Sequence, residues 1–69
     1  MSQIGINIRR FREEKNLSQE QLAVKVRCGT KTIENYENGI SSPKLDTILK
    51  ISTVLDIPAA ELLAQHDNR

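Results

Sequence analysis

Thr30, Lys31 and Asn35 are the residues of this chain best equipped for recognition chemistry. A helix that turns Ile33 and Tyr36 inward leaves Thr30, Lys31, Glu34 and Asn35 outward. An Asn carboxamide can make two bonds to adenine, a Lys can reach guanine O6 and N7, and a Thr methyl can lie against the thymine methyl. One such side chain, well placed, is worth about 1–3 kcal/mol of discrimination between bases. The free N–H groups at the start of such a helix also point at phosphate. Lys31 can meet a phosphate instead of a base. Glu34 reads as a solvated acid, or as one that disfavours wrong bases, more than as a contact.

These side chains work only if a scaffold holds them out from a core, and the pattern supplies one. Ile4, Ile8 and Phe11 form a stripe at i, i+4 and i+7 in a helix running from about Gln3 to Lys15. Ser2 can cap its start, and Asn16 can end it because Asn tolerates the left-handed conformation. Ile4-Gly5-Ile6-Asn7-Ile8 alternates like a strand, but it lies within the longer helical stripe. Ser18 followed by Gln21 is a capping box, and Leu17 and Leu22 stand where a hydrophobic staple requires them. The second helix is therefore short, about eight residues, with Leu22, Ala23 and Val26 inward, ending near Val26 or Arg27. After a break at Arg27-Cys28-Gly29, a third helix is expected over Thr30 to Asn38, stopped by Gly39. Ser41-Ser42-Pro43 is turn chemistry. A fourth helix is expected over Leu45 to Leu55, with Leu45, Ile48, Ile51, Ser52 and Leu55 on one side. A last one begins at Pro58 and carries Leu62 and Leu63.

At 69 residues the chain is one domain, 1–69, with a core over 4–63 and a polar, frayed tail over 65–69. With 38% hydrophobic and 28% charged residues it is expected to fold and stay soluble. Phe11 and Tyr36 are its aromatic residues, so the core must be aliphatic. One cysteine, Cys28, excludes an internal disulfide and a thiolate metal cluster within one chain, and fits a reducing compartment. Cys28 reads as a small residue filling the turn more than as a redox sensor, although Arg27 nearby could lower its pKa. No apolar run approaches the roughly 20 residues of a membrane span, and no signal-peptide pattern opens the chain. The net charge of +1 is unevenly spread: residues 1–35 carry seven Lys/Arg against four acids, residues 36–69 three against five. That asymmetry permits a positive face for a polyanion. No Ser/His/Asp order, phosphate-cradling glycine loop or metal-ligand spacing occurs, and His66 stands alone in the tail. The expectation is no enzyme, no cofactor and no metal.

Four blocks in order carry a resemblance: Ile8-Arg9-x-x-Arg12; Leu17-Ser18-Gln19-Glu20-Gln21-Leu22-Ala23; Ile33-x-x-Tyr36-Glu37-x-Gly39; and Pro43-x-Leu45-Asp46-x-Ile48. Together, over residues 4–63, they resemble the Cro/repressor-type helix-turn-helix family, the xenobiotic-response-element-like regulators. The resemblance implies an all-α fold, a five-helix lambda-repressor-like DNA-binding domain. It also implies a transcriptional regulator, most often a repressor, acting as a homodimer on a palindromic operator with the third helix in the major groove. Carried over by position, base-reading residues fall on Gly29, Thr30, Lys31 and Asn35. Backbone contacts fall on Ser18 and Gln19 at the start of the second helix, and on Asn38 and Lys44 after the third. Arg12 and Glu37 match an internal ion pair.

Two positions depart from the family pattern. Arg27 stands where the turn usually has Gly; either Arg27 is left-handed there, at a cost of roughly 1–2 kcal/mol, or the turn differs in this chain, and its charge can add a phosphate contact. Gly29 replaces the usual Ser or Thr cap and offers no side chain to a base. Leu49, Val54, Ile57, Pro58 and Leu63 exceed what a small core holds and are expected at a dimer interface; the alternative is that they pack the fifth helix on the fourth within one protomer. A protein-interaction adaptor or an antitoxin on the same fold is the other functional reading. A cytoplasmic location in a prokaryote or phage, at the nucleoid, follows from the resemblance.

Overall fold

The computed structural model describes residues 3–65. It contains α1 (Gln3–Glu14), α2 (Gln19–Val26), α3 (Thr30–Glu37), α4 (Leu45–Leu55) and α5 (Ala59–Leu63), and no strand among the described residues. The expected cap at Ser2 and the tail beyond Gln65, His66 included, lie outside the described residues. Gln65 itself is non-helical and exposed.

The core is aliphatic, as the shortage of aromatic residues requires. Ile8, Leu22, Ile33, Ile51, Leu55 and Leu62 are fully buried, and Ala23, Val26 and Ile48 nearly so. Phe11 and Tyr36 pack at its margin, with Leu17, Cys28, Val54 and Ile57. One expected inward residue is not there: Leu45 is 63% exposed. It is the first residue of α4, and at 100° per residue it sits about 70° from the centre of the stripe formed by Ile48, Ile51, Ser52 and Leu55. The core begins one turn later.

Short helices need firm ends, and four of the five end alike. A left-handed residue follows the helix, and the next N–H reaches back five residues: Leu17 to the Arg12 carbonyl (3.1 Å), Cys28 to Ala23 (2.9 Å), Ile40 to Asn35 (2.9 Å) and Ile57 to Ser52 (3.0 Å). The left-handed residues are Asn16, Arg27, Gly39 and Asp56, with φ of 58°, 65°, 75° and 56°. Leu17, Cys28 and Ile57 then drop onto the core, which completes the motif. Arg27 thus takes the conformation its position demands, without the glycine that would adopt it freely. Arg27→Gly is expected to stabilise the domain by about 1 kcal/mol, less than the full left-handed penalty because Gly also frees the unfolded chain. That corresponds to a rise of about 4–8 °C in the melting midpoint, read by circular dichroism. An unchanged or lowered midpoint would mean that the Arg27 side chain compensates for its own strain.

Two residues of α1 that sequence reasoning did not single out set how it packs. Gly5 is where α1 crosses α3: a Cβ there would stand 2.2 Å from the Tyr36 carbonyl oxygen. Asn7, fully buried, donates through Nδ2 to the carbonyls of Leu62 and Ala64, both at 2.9 Å, and its Oδ1 accepts from Gln3 Nε2 at 3.1 Å. This amide ties the end of the five-residue α5 to the first helix and satisfies two carbonyls that a helix end leaves open. An Asn three residues after Ile4, within an apolar stripe, was the available sign.

Candidate nucleic-acid interface

The start of α2 is built by local sequence. Ser18 Oγ accepts from the Gln21 N–H at 3.0 Å, and Gln21 Oε1 accepts from the Ser18 N–H at 2.8 Å, the reciprocal capping box. The hydroxyl proton of Ser18 remains available to an outside acceptor. Gln19 is half-buried and donates through Nε2 to Glu37 Oε1 at 3.1 Å, so an internal partner already positions its side chain.

Glu37 is the hub of this end of the molecule. Its side chain is 2% exposed and that of Arg12 10%. Arg12 Nε meets Glu37 Oε2 at 2.7 Å and Nη2 meets Oε1 at 3.1 Å, a bidentate pair. Arg12 Nη1 also donates to the Leu17 carbonyl at 2.6 Å. The hydrogen bond to Glu37 raises the Arg12 pKa above its already high value, against the opposing effect of burial. Together with Gln19, this pair joins α1, the start of α2 and the end of α3, and no buried polar side-chain atom among the described residues lacks a partner.

That network holds α3 with one face on the core and one face out. Ile33 is fully buried, whereas Thr30 and Lys31 are exposed and Glu34 and Asn35 half-exposed. Lys31 Nζ, largely in solvent, lies 3.3 Å from Oε1 of the half-exposed Glu34, an arrangement worth little on its own. The side chains of Thr30 and Asn35 make no hydrogen bond among the described residues, so their polar groups are unspent. Gly29 caps α3 with backbone alone, its carbonyl accepting from Thr32 at 3.0 Å. A Cβ at Gly29 would meet only Thr32 Oγ1, at 3.8 Å, so the absent side chain is not dictated by space. Asn38 ends α3 and Lys44 precedes α4, both exposed. Arg27 lies at the α2–α3 turn and is exposed. Burial pushes the Cys28 thiol up, opposite to the direction expected from Arg27 nearby.

The expected dimer residues divide into two groups. Leu49 and Val54 line a groove between α2 and α4, while Ile57, Pro58 and Leu63 lie on the α4–α5 connection and on α5. Leu49 and Leu63 are each about half exposed, at 49% and 51%; Val54 and Ile57 are partly buried against the core. Among the described residues no helix is long and apolar enough to cross a membrane. No group of His, Cys, Asp and Glu among the described residues could hold a metal ion.

Two short helices joined by a tight turn, the second open to solvent and both braced by a first helix, define a helix-turn-helix domain. The helix-turn-helix family of Cro/C1 type matches residues 8–62, and the chain belongs to that family. Among curated relatives it is 38% identical over 60 residues to the cryptic phage CTXphi transcriptional repressor RstR of Vibrio cholerae, covering 87% of this chain and 54% of the relative. It is 27% identical over 64 residues to the HTH-type transcriptional regulator ImmR of Bacillus subtilis, covering 93% of this chain and 50% of that one. The chain thus spans about half the length of these curated relatives. Its fold is similar to that of the restriction-modification controller protein C.AhdI from Aeromonas hydrophila (TM-score 0.83, 37% identity, 87% of this chain and 91% of that one). It is also similar to SinR, the master regulator for biofilm formation, in complex with DNA (TM-score 0.84, 31% identity, 88% and 98%). The family and these relatives are regulators, not enzymes.

Proposed function

We propose that this chain is a sequence-specific double-stranded-DNA-binding transcriptional regulator, a repressor by its relatives, acting as a homodimer on a palindromic operator. The observation that carries the reading is the open face of α3, where Thr30 and Asn35 keep unspent polar groups and Lys31 keeps its charge in solvent. In this reading α3 lies in the major groove with Thr30, Lys31 and Asn35 against base edges, and Gly29 lets the backbone approach closely. Ser18 and Gln19 at the start of α2, with Arg27, Asn38 and Lys44, meet phosphates and fix the register. Leu49, Val54, Ile57, Pro58 and Leu63 supply the side on which a second copy pairs, so that two α3 helices meet half-sites about 34 Å apart. Arg12 and Glu37 stay structural. The protein works at the nucleoid of a prokaryotic or phage-infected cytoplasm. No large apolar side chain is exposed on α3, which disfavours an adaptor or antitoxin that grips a protein through that helix.

The test compares two substitutions on a selected site and on random DNA. Asn35→Ala is expected to cost about 1–3 kcal/mol per half-site on the selected site and far less on random sequence. Lys44→Ala is expected to weaken both alike and to reduce the salt slope by about 2, one phosphate contact being lost in each half of the dimer. For six to eight phosphates neutralised per dimer, log affinity should fall with log salt at a slope near −5 to −7. A flat salt dependence, or an equal loss from Asn35→Ala on every sequence, ends the reading.

A further inference from the structure

We infer that the homodimer forms through antiparallel α4 helices crossing at Thr53, with Lys50 of each chain against Asp56 of the other; the inference rests on the homodimer reading above. A groove of about 460 Å³ runs between the end of α2 and α4, lined by Lys25, Arg27, Leu49, Lys50, Thr53 and Val54 among others. No acidic side chain lines it. Its three cations make no ion pair among the described residues, whereas Arg9, Arg10, Arg12 and Lys31 all do. At the far end of α4 the reverse holds. Asp56 and Glu61 are exposed acids, equally without an ion pair among the described residues, beside exposed Pro58 and Leu63. One protomer therefore carries a cationic apolar surface and an acidic apolar surface that do not neutralise each other.

A two-fold axis at Thr53 joins them. Lys50, Thr53 and Asp56 follow one another at intervals of three residues, along one side of the helix and its cap. Lys50 and Asp56 are thus equally far from Thr53, about 4.5 Å along the axis in each direction. Antiparallel pairing about that point sets Lys50 of one chain opposite Asp56 of its partner, and the same pair recurs on the other side, as an isologous contact requires. It also brings the half-exposed Leu49 toward Ile57 of the second copy. Thr53 suits the crossing: it is small, and its hydroxyl already donates to the Leu49 carbonyl at 2.9 Å. In a parallel register Lys50 would face Lys50, and like charges at close quarters select against that alternative. A phosphate at Lys50 explains the arrangement less well, because mid-helix α4 offers no free N–H there; Arg27, at the α2–α3 end of the groove, keeps the phosphate contact assigned to it above.

The experiment is sedimentation equilibrium of the whole chain, with far-UV circular dichroism to follow folding. Lys50→Glu and Asp56→Lys are each expected to raise the dimer dissociation constant about tenfold or more, because each replaces two attractive pairs by two repulsive ones. The double variant restores it to within about threefold, since a swapped pair attracts again. Should Asp56→Lys disturb its left-handed cap, Asp56→Asn removes the charge with a residue that tolerates that conformation, and must weaken dimerisation too. A wild-type dimer indifferent to these reversals overturns the α4 register and leaves the homodimer standing. A wild-type chain that stays monomeric, free and on operator DNA, overturns both. Loss of DNA affinity in Lys50→Glu with dimerisation unchanged assigns Lys50, like Arg27, to phosphate, which also overturns the inference.

Discussion

Gly5→Ala is expected to destabilise the domain by about 3 kcal/mol or more, at the upper end of what overpacking usually costs. The direction is opposite to helix propensity, which favours Ala over Gly by about 1 kcal/mol in a helix interior. Packing wins because the added Cβ would stand 2.2 Å from the Tyr36 carbonyl oxygen and 3.0 Å from that of Glu37. Both are backbone atoms of α3, so no side chain can swing aside. Relief requires α1 to move away from α3, which loosens Ile8 against Ile33 and pulls Arg12 from Glu37. A domain of this length holds about 3–10 kcal/mol in total, so a large share of Gly5→Ala molecules would be unfolded at 37 °C. Urea unfolding measures it, with Gly29→Ala as the contrast: there the Cβ has room, and the loss is that of a weaker cap, about 1 kcal/mol or less. Gly5→Ala as stable as the parent would refute the tight crossing.

That crossing shows where sequence reasoning stops. The capping box at Ser18 and Gln21, the left-handed ends at Asn16 and Gly39 and the outward face of α3 were legible because their causes lie within a few residues. Ile33 and Tyr36 fix the phase of α3, and with it the exposure of Thr30, Lys31 and Asn35. Gly5 and Asn7 were not legible. The partners that give them meaning, Tyr36 and the carbonyls of Leu62 and Ala64, are 31 to 57 residues away. In the sequence Asn7 shows only its place within the apolar stripe, and Gly5 nothing that points to α3. Arg12 and Glu37 came from family resemblance, since nothing in either residue's neighbourhood points to the other. Leu45 shows the converse error: the periodicity was right, but it does not say at which turn a helix enters the core.

Breaking the Arg12–Glu37 pair from either side is expected to cost about 3–5 kcal/mol, because each substitution leaves the opposite charge buried and uncompensated. Glu37→Gln preserves the shape and one acceptor, so it isolates the charge. It leaves the Arg12 guanidinium, with a side chain 10% exposed, facing a neutral amide. Arg12→Met removes the cation that neutralises a carboxylate only 2% exposed, together with the bond to the Leu17 carbonyl. Replacing both partners by apolar residues is a different matter. Arg12→Met with Glu37→Leu leaves no buried charge, and such exchanges are often neutral or better. The double variant should therefore be more stable than either single one, giving a large coupling in a double-mutant cycle read from urea midpoints. Single losses below about 1 kcal/mol, or strictly additive ones, would place the pair among surface bridges of little worth. The double variant also separates stability from positioning. It lacks the carboxylate that Gln19 Nε2 reaches at 3.1 Å, so the start of α2 loses its tie to the end of α3. If the network exists to set the angle between these helices, the double variant should stay folded and still bind DNA less tightly on every sequence, because a loosened frame weakens contacts without changing which bases they read.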